Sequence, residues 1–154
     1  MPFSVHSVLS RDPRVKILSG LFDTGTTEGH GIHGIMKYKE ITGKVIECAL
    51  NVHRKLGFGF LENVYANALM IELKKAGLQA EKEKRIEIIY EEELIGDYVA
   101  DIVVENKIIL ELKAVKEIHP AHEAQLINYL KATGMEVGLL INFGEKIQIK
   151  RKVF

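Results

Sequence analysis

The amino-acid sequence predicts an α/β (α+β) fold in which helices flank a central mixed sheet of about five strands. Two segments with helical periodicity come first, and three segments that alternate apolar and polar residues follow them. A further helix then separates these from two more strands, which implies a crossover connection within the sheet. The fourth strand is almost wholly apolar, so we expect helices to cover both faces of the sheet.

The two leading helices are defined by their apolar spacing and by the glycines that end them. Apolar residues recur at three- and four-residue steps from Ile41 to Leu56, where Gly57 ends the first helix. A second apolar face runs from Leu61 to Leu73 and ends at Gly77. A third helix is expected from Pro120 to about Thr133, with Gly134 as its end. The strands are predicted at 85–90, 94–104, 108–115, 136–142 and 146–153.

Composition limits the classes of protein that this chain can belong to. Its 154 residues suffice for one domain with a core that needs no disulfide or metal. Lys plus Arg equals Asp plus Glu, 21 against 21, so attraction to nucleic acid or membranes must be local if it exists. Cys48 is the only cysteine, which excludes an intrachain disulfide, and its place on an apolar helix face predicts a core position.

Residues 1–35 differ in composition from the rest of the chain. They are rich in glycine, and positions 23–34 contain almost nothing apolar and show no period. We expect a disordered or loosely attached tail at 1–35, with one short turn or strand at 15–18, and a folded domain at 36–154. No apolar run approaches the roughly 18 residues of a membrane span, and the start lacks the apolar region of a signal peptide. We therefore expect a cytoplasmic protein that binds no membrane.

The third predicted strand carries charges where a core strand is expected. Glu111 and Lys113 are two positions apart and share one face, while Leu110 and Leu112 take the other face. A tight turn at 105–107 pairs Val104 with Ile108, and counting back along the strand places Asp101 opposite Glu111. A two-residue slip would place Asp101 opposite Lys113 on the same face, whereas a one-residue slip would move it to the other face.

Two opposed carboxylates on a half-buried sheet repel each other and require an offset. A Mg²⁺ or Mn²⁺ ion would provide one, because both ions prefer carboxylate oxygen ligands. Lys113 would then orient a water or stabilise charge on a phosphate. A structural ion pair of Lys113 with Asp101 or Glu111 explains the pattern equally well. The basic end of the chain is also open to two interpretations, since Lys150 and Lys152 share a strand face that fits either a phosphate track or a solvated edge strand.

Asp101 followed by Glu111-Leu112-Lys113 on the next strand resembles the PD-(D/E)xK nuclease superfamily, and the order of elements is similar to its restriction-endonuclease-like core. The segment 59–65 resembles the GxxExxY motif of one branch, the GxxExxY proteins, and segments 122–130 and 138–144 are similar to that branch as well. The resemblance extends from about Tyr38 to Lys152. Ala100 stands where the superfamily pattern has proline.

The resemblance implies a role for each matching residue. Asp101 and Glu111 would be metal ligands for Mg²⁺ or Mn²⁺, Glu62 would complete the metal site, and Lys113 would be the catalytic lysine. Gln125 and Tyr129 match the QxxxY helix motif of RecB-like nucleases, which supports the active site and contacts nucleic acid. Two of these residues have structural alternatives: Glu62 suits a helix N-terminus, and a Tyr at position 129 suits the core.

Two functions follow as hypotheses. The first is a metal-dependent nuclease that hydrolyses phosphodiester bonds in DNA or RNA, with DNA favoured, and the intact Asp, Glu and Lys set supports it. The second is a catalytically silent nuclease-fold module that binds nucleic acid or a protein partner, and the neutral net charge supports that alternative. A homodimer is compatible with both.

Overall fold

The computed structural model describes residues 16–19 and 38–154. The helices of this part of the chain are α1 (Lys39–Leu56), α2 (Glu62–Lys75) and α3 (Pro120–Thr133). Gly57 follows α1 with φ of 70° and Gly134 follows α3 with φ of 68°, a backbone region that glycine enters without steric cost. Glycine therefore ends these two helices as predicted.

The strands form one mixed sheet that matches the predicted α/β fold class. They are β1 (Lys16–Ser19), β2 (Ala80–Tyr90), β3 (Glu93–Val104), β4 (Ile108–Lys113), β5 (Val137–Phe143) and β6 (Ile147–Val153). Their order is β1-β6-β5-β4-β3-β2, and the β4–β5 and β1–β6 pairs are parallel. The five expected strands are thus present, and β1 adds a sixth where a short turn or strand was expected at 15–18, within the span predicted as a tail. The rest of that tail prediction lies outside the described residues.

Helices cover the two faces of the sheet, as the apolar fourth strand predicted. All seven residues of β5 are buried. One core cluster joins α1 and α2 to the face that carries Leu110, Leu112 and Ile141. The other cluster joins α3 to the face that carries Val103, Ile109 and Leu140. The crossover from β4 to β5 through α3 therefore completes a three-layer arrangement.

Two smaller predictions concern Cys48 and membrane spans. Cys48 lies on the buried face of α1, where burial and the charges of Glu72 and Glu47 raise the pKa of its thiol. Within residues 38–154, no helix combines the length and the apolar character that crossing a bilayer requires.

Candidate active site on the third and fourth strands

β4 presents its two faces to different environments, as its sequence predicted. Leu110 and Leu112 are buried in the cluster formed with α1 and α2. Glu111 and Lys113 project from the opposite face, near α3. Burial of Glu111 is almost complete, with 1% of the residue exposed. A charged pair is thus placed inside the protein rather than on its surface.

The β3–β4 ladder has the predicted register but ends one pair earlier than expected. Val104 pairs with Ile108, and Ile102 pairs with Leu110. Asp101 does not extend this ladder to Glu111. Its Oδ2 instead accepts a hydrogen bond of 2.7 Å from the backbone N–H of Leu112. The carboxylate therefore occupies the position that a ladder partner would have taken, beside the strand that carries Glu111.

The backbone of β3 changes face at Asp101. Ile102 lies in the cluster of α1 and α2, whereas both Ala100 and Val103 lie in the cluster of α3. Strict alternation would place Ala100 on the same face as Ile102. On β2, the position across from Asp101 is Glu83, whose φ of 55° departs from strand geometry. The prediction that alternate residues of β3 share one face is therefore correct only from Ile102 onward.

The carboxylate of Glu111 has one satisfied and one unsatisfied oxygen. Lys113 donates a hydrogen bond from Nζ to Oε1 across 2.9 Å. Oε2 is buried and has no hydrogen-bond partner among the described residues. Burial, and next the negative charge of Asp101, raise the pKa of Glu111 to about 7. Burial likewise raises the pKa of Asp101, although the hydrogen bond from Leu112 opposes the rise.

Helix α3 supplies the polar groups that hold Lys113. The Nζ of Lys113 lies 3.4 Å from Oε1 of Gln125, and Nε2 of Gln125 donates to the hydroxyl of Tyr129 across 2.8 Å. Burial would lower the pKa of Lys113, but the hydrogen bond and the charge of Glu111 outweigh it, and the pKa is raised. Tyr129 is buried in the core and also takes part in this hydrogen-bond network. Its core position and its place beside the site are therefore compatible.

A comparison with known families shows the superfamily to which the chain belongs. The sequence model of the PD-(D/E)XK nuclease superfamily matches residues 39–153. The chain belongs to the PD-(D/E)XK nuclease superfamily. Two solved structures match significantly, and one of them is the crystal structure of SSO0001. Its sequence is 18% identical to that of this chain, and the two superpose with a TM-score of 0.47. The match covers 75% of this chain and 59% of the other chain. No curated protein matches significantly.

Membership of the PD-(D/E)XK nuclease superfamily makes this a nuclease-like domain, and nucleases of this superfamily generally use divalent metals. The residues present fit such an ion. Asp101 and Glu111 provide the carboxylate oxygens that Mg²⁺ and Mn²⁺ prefer. The unpartnered Oε2 of Glu111 is the kind of buried acceptor that native proteins normally satisfy.

Glu62 lies at the first position of α2 and is exposed. Its charge contributes to the raised pKa values of Glu111 and Lys113. Among residues 38–154, however, no three His, Cys, Asp or Glu side chains are clustered closely enough to hold a metal together. The ligand role of Glu62 therefore stays a prediction.

Two further residues are related to the site. His122 lies in the first turn of α3, and burial followed by the charge of Lys113 lowers its pKa. Asn142 pairs in register with Lys113 on the neighbouring strand and is fully buried. The signal for Asn142 was a polar residue inside an otherwise apolar strand, a pattern that requires hydrogen-bond partners.

The edge-strand interpretation of the basic C-terminal strand is wrong, and two lysines of the possible phosphate track, Lys150 and Lys152, are paired within the fold. The two lysines form ion pairs with the carboxylate of Glu123 on α3, so their charges are largely neutralised within the fold. The strand β6 is also flanked by β5 and β1 and is not a free edge. The strand parity was correct, but the position of Glu123 above it depended on how α3 packs.

Proposed function

We propose that this protein is a metal-dependent phosphodiesterase that hydrolyses nucleic acid, with DNA favoured over RNA, through Asp101, Glu111 and Lys113. The observation that carries the proposal is the second oxygen of Glu111, which is buried beside another carboxylate and has no partner among the described residues. A purely structural ion pair would leave no such oxygen, because an unsatisfied buried acceptor destabilises the fold.

Asp101 and Glu111 would hold Mg²⁺ or Mn²⁺, with Glu62 as a third carboxylate nearby. The bound ion would polarise a phosphoryl oxygen of the substrate and offset the repulsion between the carboxylates. Lys113 would place a fixed positive charge where negative charge develops on the phosphate. Its position between Glu111 and Gln125 limits its motion, so little reorganisation is needed during the reaction.

Gln125 and Tyr129 would act as positioning residues for Lys113. Because Nε2 of Gln125 donates to the Tyr129 hydroxyl, Oε1 of the same amide is turned toward the ammonium group. An amide turned the other way would direct its N–H groups at a cation and repel it. This network gives the QxxxY spacing a physical purpose in this chain.

Within the superfamily, we propose that the chain belongs to the GxxExxY branch, related to RecB-like nucleases. The support is the segment from Gly59 to Tyr65, in which the charge of Glu62 acts on Glu111 and Tyr65 is fully buried in the core. We further propose a nuclease-like domain at 36–154, to whose sheet the segment 1–35 adds the strand β1, and a cytoplasmic location in which Cys48 stays reduced.

The test is a cleavage assay on plasmid DNA and on labelled DNA and RNA single strands, with Mg²⁺ or Mn²⁺. Lys113→Ala and Asp101→Asn should each reduce the rate by about a hundredfold or more. Two matched controls should retain activity: Lys116→Ala, an exposed lysine just beyond the site, and Asp97→Asn, an exposed carboxylate on the same strand as Asp101. Thermal melts would verify that every variant is folded.

The proposal is wrong if no nucleic acid is cleaved and if neither metal changes the thermal stability of the wild-type protein. Equal loss of activity in Asp101→Asn and Asp97→Asn would also contradict it. Binding of nucleic acid without cleavage, unchanged by Lys113→Ala, would favour the catalytically silent module instead.

A further inference from the structure

The loop that joins α1 to α2 exposes three large apolar residues close together. Phe58 is 61% exposed, Phe60 is 47% exposed and Leu61 is 79% exposed. Single exposed apolar side chains are common on protein surfaces, but a contiguous group of them indicates a binding surface. We call these three residues the aromatic loop.

The aromatic loop is held in place from below. The hydroxyl of Tyr65 donates to the carbonyl of Gly57 across 2.9 Å and accepts from the backbone N–H of Phe60 across 3.3 Å. The ring of Tyr65 is buried and stacks on Phe143 with centroids 4.5 Å apart. Because its backbone is fixed before any ligand arrives, the loop loses little entropy on binding.

The aromatic loop borders the candidate active site. Leu61 is followed directly by Glu62, and Tyr65 below the loop stacks on Phe143, the residue after Asn142, which pairs in register with Lys113. A third exposed aromatic residue, Tyr98, lies beside α3, since its ring is 5.7 Å from that of Tyr129. Tyr129 in turn contacts the glutamine that holds Lys113. Exposed aromatic rings are therefore found both in the loop before α2 and beside α3.

Charge does not provide an obvious means of holding a nucleic acid here. The net charge of the chain is zero, and Lys150 and Lys152 are paired with Glu123. Affinity for duplex DNA normally depends on neutralised phosphates. Aromatic side chains offer a different source of affinity, because the base of an unpaired nucleotide has free π-faces that stack on them regardless of sequence.

We propose that the rings of Phe58 and Phe60 form a stacking platform for unpaired bases, and that the substrate class is single-stranded nucleic acid or a single-stranded end of a duplex. The placement of this platform rests on the proposed function, since it leads the strand toward Asp101 and Glu111. In a duplex the faces of the bases are covered by their neighbours, so a blunt duplex offers no equivalent contact.

The test measures binding by fluorescence anisotropy in EDTA, which prevents metal-dependent cleavage. The probes are a fluorescein-labelled DNA single strand, an RNA of the same sequence and the blunt DNA duplex. The wild-type chain should bind the single strands about tenfold or more tightly than the duplex, and Phe58→Ala with Phe60→Ala should remove about tenfold of that affinity. Phe154→Ala is the matched control, because Phe154 is 62% exposed and follows β6 at the opposite end of the sheet from Lys113.

A second variant separates stacking from simple apolar contact. Phe58→Leu with Phe60→Leu keeps apolar side chains but removes the π-faces, so it should bind as weakly as the alanine variant. Full binding by the leucine variant, equal binding of duplex and single strand, or no binding by wild type would each overturn the inference. The binding assay needs no metal, so its outcome is separate from that of the cleavage assay. Cleavage that is independent of Phe58 and Phe60 would reject the platform and leave the proposed function standing. Binding that depends on these rings, without any cleavage, would support the platform and reject the enzyme.

Discussion

The ammonium group of Lys113 satisfies only one of the two oxygens of Glu111. The distance from Nζ to Oε1 is 2.9 Å, while Oε2 is buried without a partner among the described residues. Asp101 lies near the same carboxylate and raises its pKa. The protein therefore holds more negative charge on this face than Lys113 alone offsets, and from this we expect the site to respond to added cations.

Metal should stabilise the wild-type protein through Asp101. We expect millimolar Mg²⁺ or Mn²⁺ to raise its melting temperature by several degrees, since about 1 kcal/mol of ligand binding shifts a domain of this size by roughly 2–4 °C. Asp101→Asn should lose this response. In EDTA the same variant should be as stable as wild type or more stable, because one of two repelling carboxylates is gone and the amide oxygen still accepts from Leu112.

The matched control for this experiment is Asp97→Asn, on the same strand but exposed and paired with Arg85. It should keep the full response to metal in differential scanning fluorimetry. An unchanged metal response in Asp101→Asn would show that the ion binds elsewhere.

The ion pairs of Glu123 should make stability depend on pH in the acid range. Burial would raise the pKa of this carboxyl, but hydrogen bonds from Lys150 and Lys152 outweigh burial and lower the pKa below its ordinary value of 4.5. In the unfolded chain the group returns to that value. The wild-type advantage over Glu123→Gln is therefore complete above about pH 4.5 and disappears as the pH falls through the lower pKa of the folded state.

At neutral pH this advantage should be about 1 kcal/mol, as the three side chains are only partly buried. Urea unfolding of both proteins between about pH 3 and pH 7 measures it. The exposed Glu117→Gln variant serves as the control and should follow wild type throughout. A difference that grows as the pH falls would contradict the assignment.

The accuracy of the sequence predictions can be traced to particular residues. Helix ends at Gly57 and Gly134 were predictable, because a positive φ favours glycine and the pattern of apolar residues stops there. The register of the β3–β4 hairpin was predictable from the short turn at 105–107 and from the alternation of the strands. The superfamily was predictable because several spaced motifs occurred in the right order.

Features that depend on long-range packing were not predictable. The change of face at Asp101 accompanies an irregular backbone at Glu83, and a glutamate in that position gives no sign of a positive φ. The strand β2 begins at Ala80, five positions before the predicted start. The prediction missed these first residues because they are mostly charged and show no clear apolar alternation. The pairing of Lys150 with Glu123 required knowledge of how a helix lies across the sheet.

Asn142 should be essential for the strand end that carries Lys113. Its Oδ1 accepts from the backbone N–H of Val115 and its Nδ2 donates to the carbonyl of Val115, each across 2.9 Å. Asn142→Leu has a similar volume but leaves both backbone groups of Val115 without this partner. We expect a loss of about 2–3 kcal/mol in the free energy of unfolding, together with reduced nuclease activity at temperatures where the variant is folded.

A control on the same network is Gln148→Ala, which removes only the hydrogen bond of 3.1 Å between Asn142 and Gln148. That change should cost about 1 kcal/mol or less. Chemical denaturation of both variants tests the ranking, and a larger loss for Gln148→Ala would show that Val115 is not the important partner.

Gly138 tests how α3 packs on β5, and Gly43 in α1 provides a contrasting substitution. A Cβ added to Gly138 would lie 2.6 Å from a methyl carbon of Leu126, so Gly138→Ala must displace the helix or force a new rotamer of that leucine. We expect a loss of about 1–3 kcal/mol, and because Gln125 precedes Leu126, a weaker hold on Lys113 as well. Gly43, within α1, has open space around its added Cβ, so Gly43→Ala should stabilise the protein by about 0.5–1 kcal/mol through its higher helix propensity. Opposite signs in urea melts of these two variants are the expected outcome, whereas a neutral Gly138→Ala would mean that α3 lies farther from β5 than the contact with Leu126 requires.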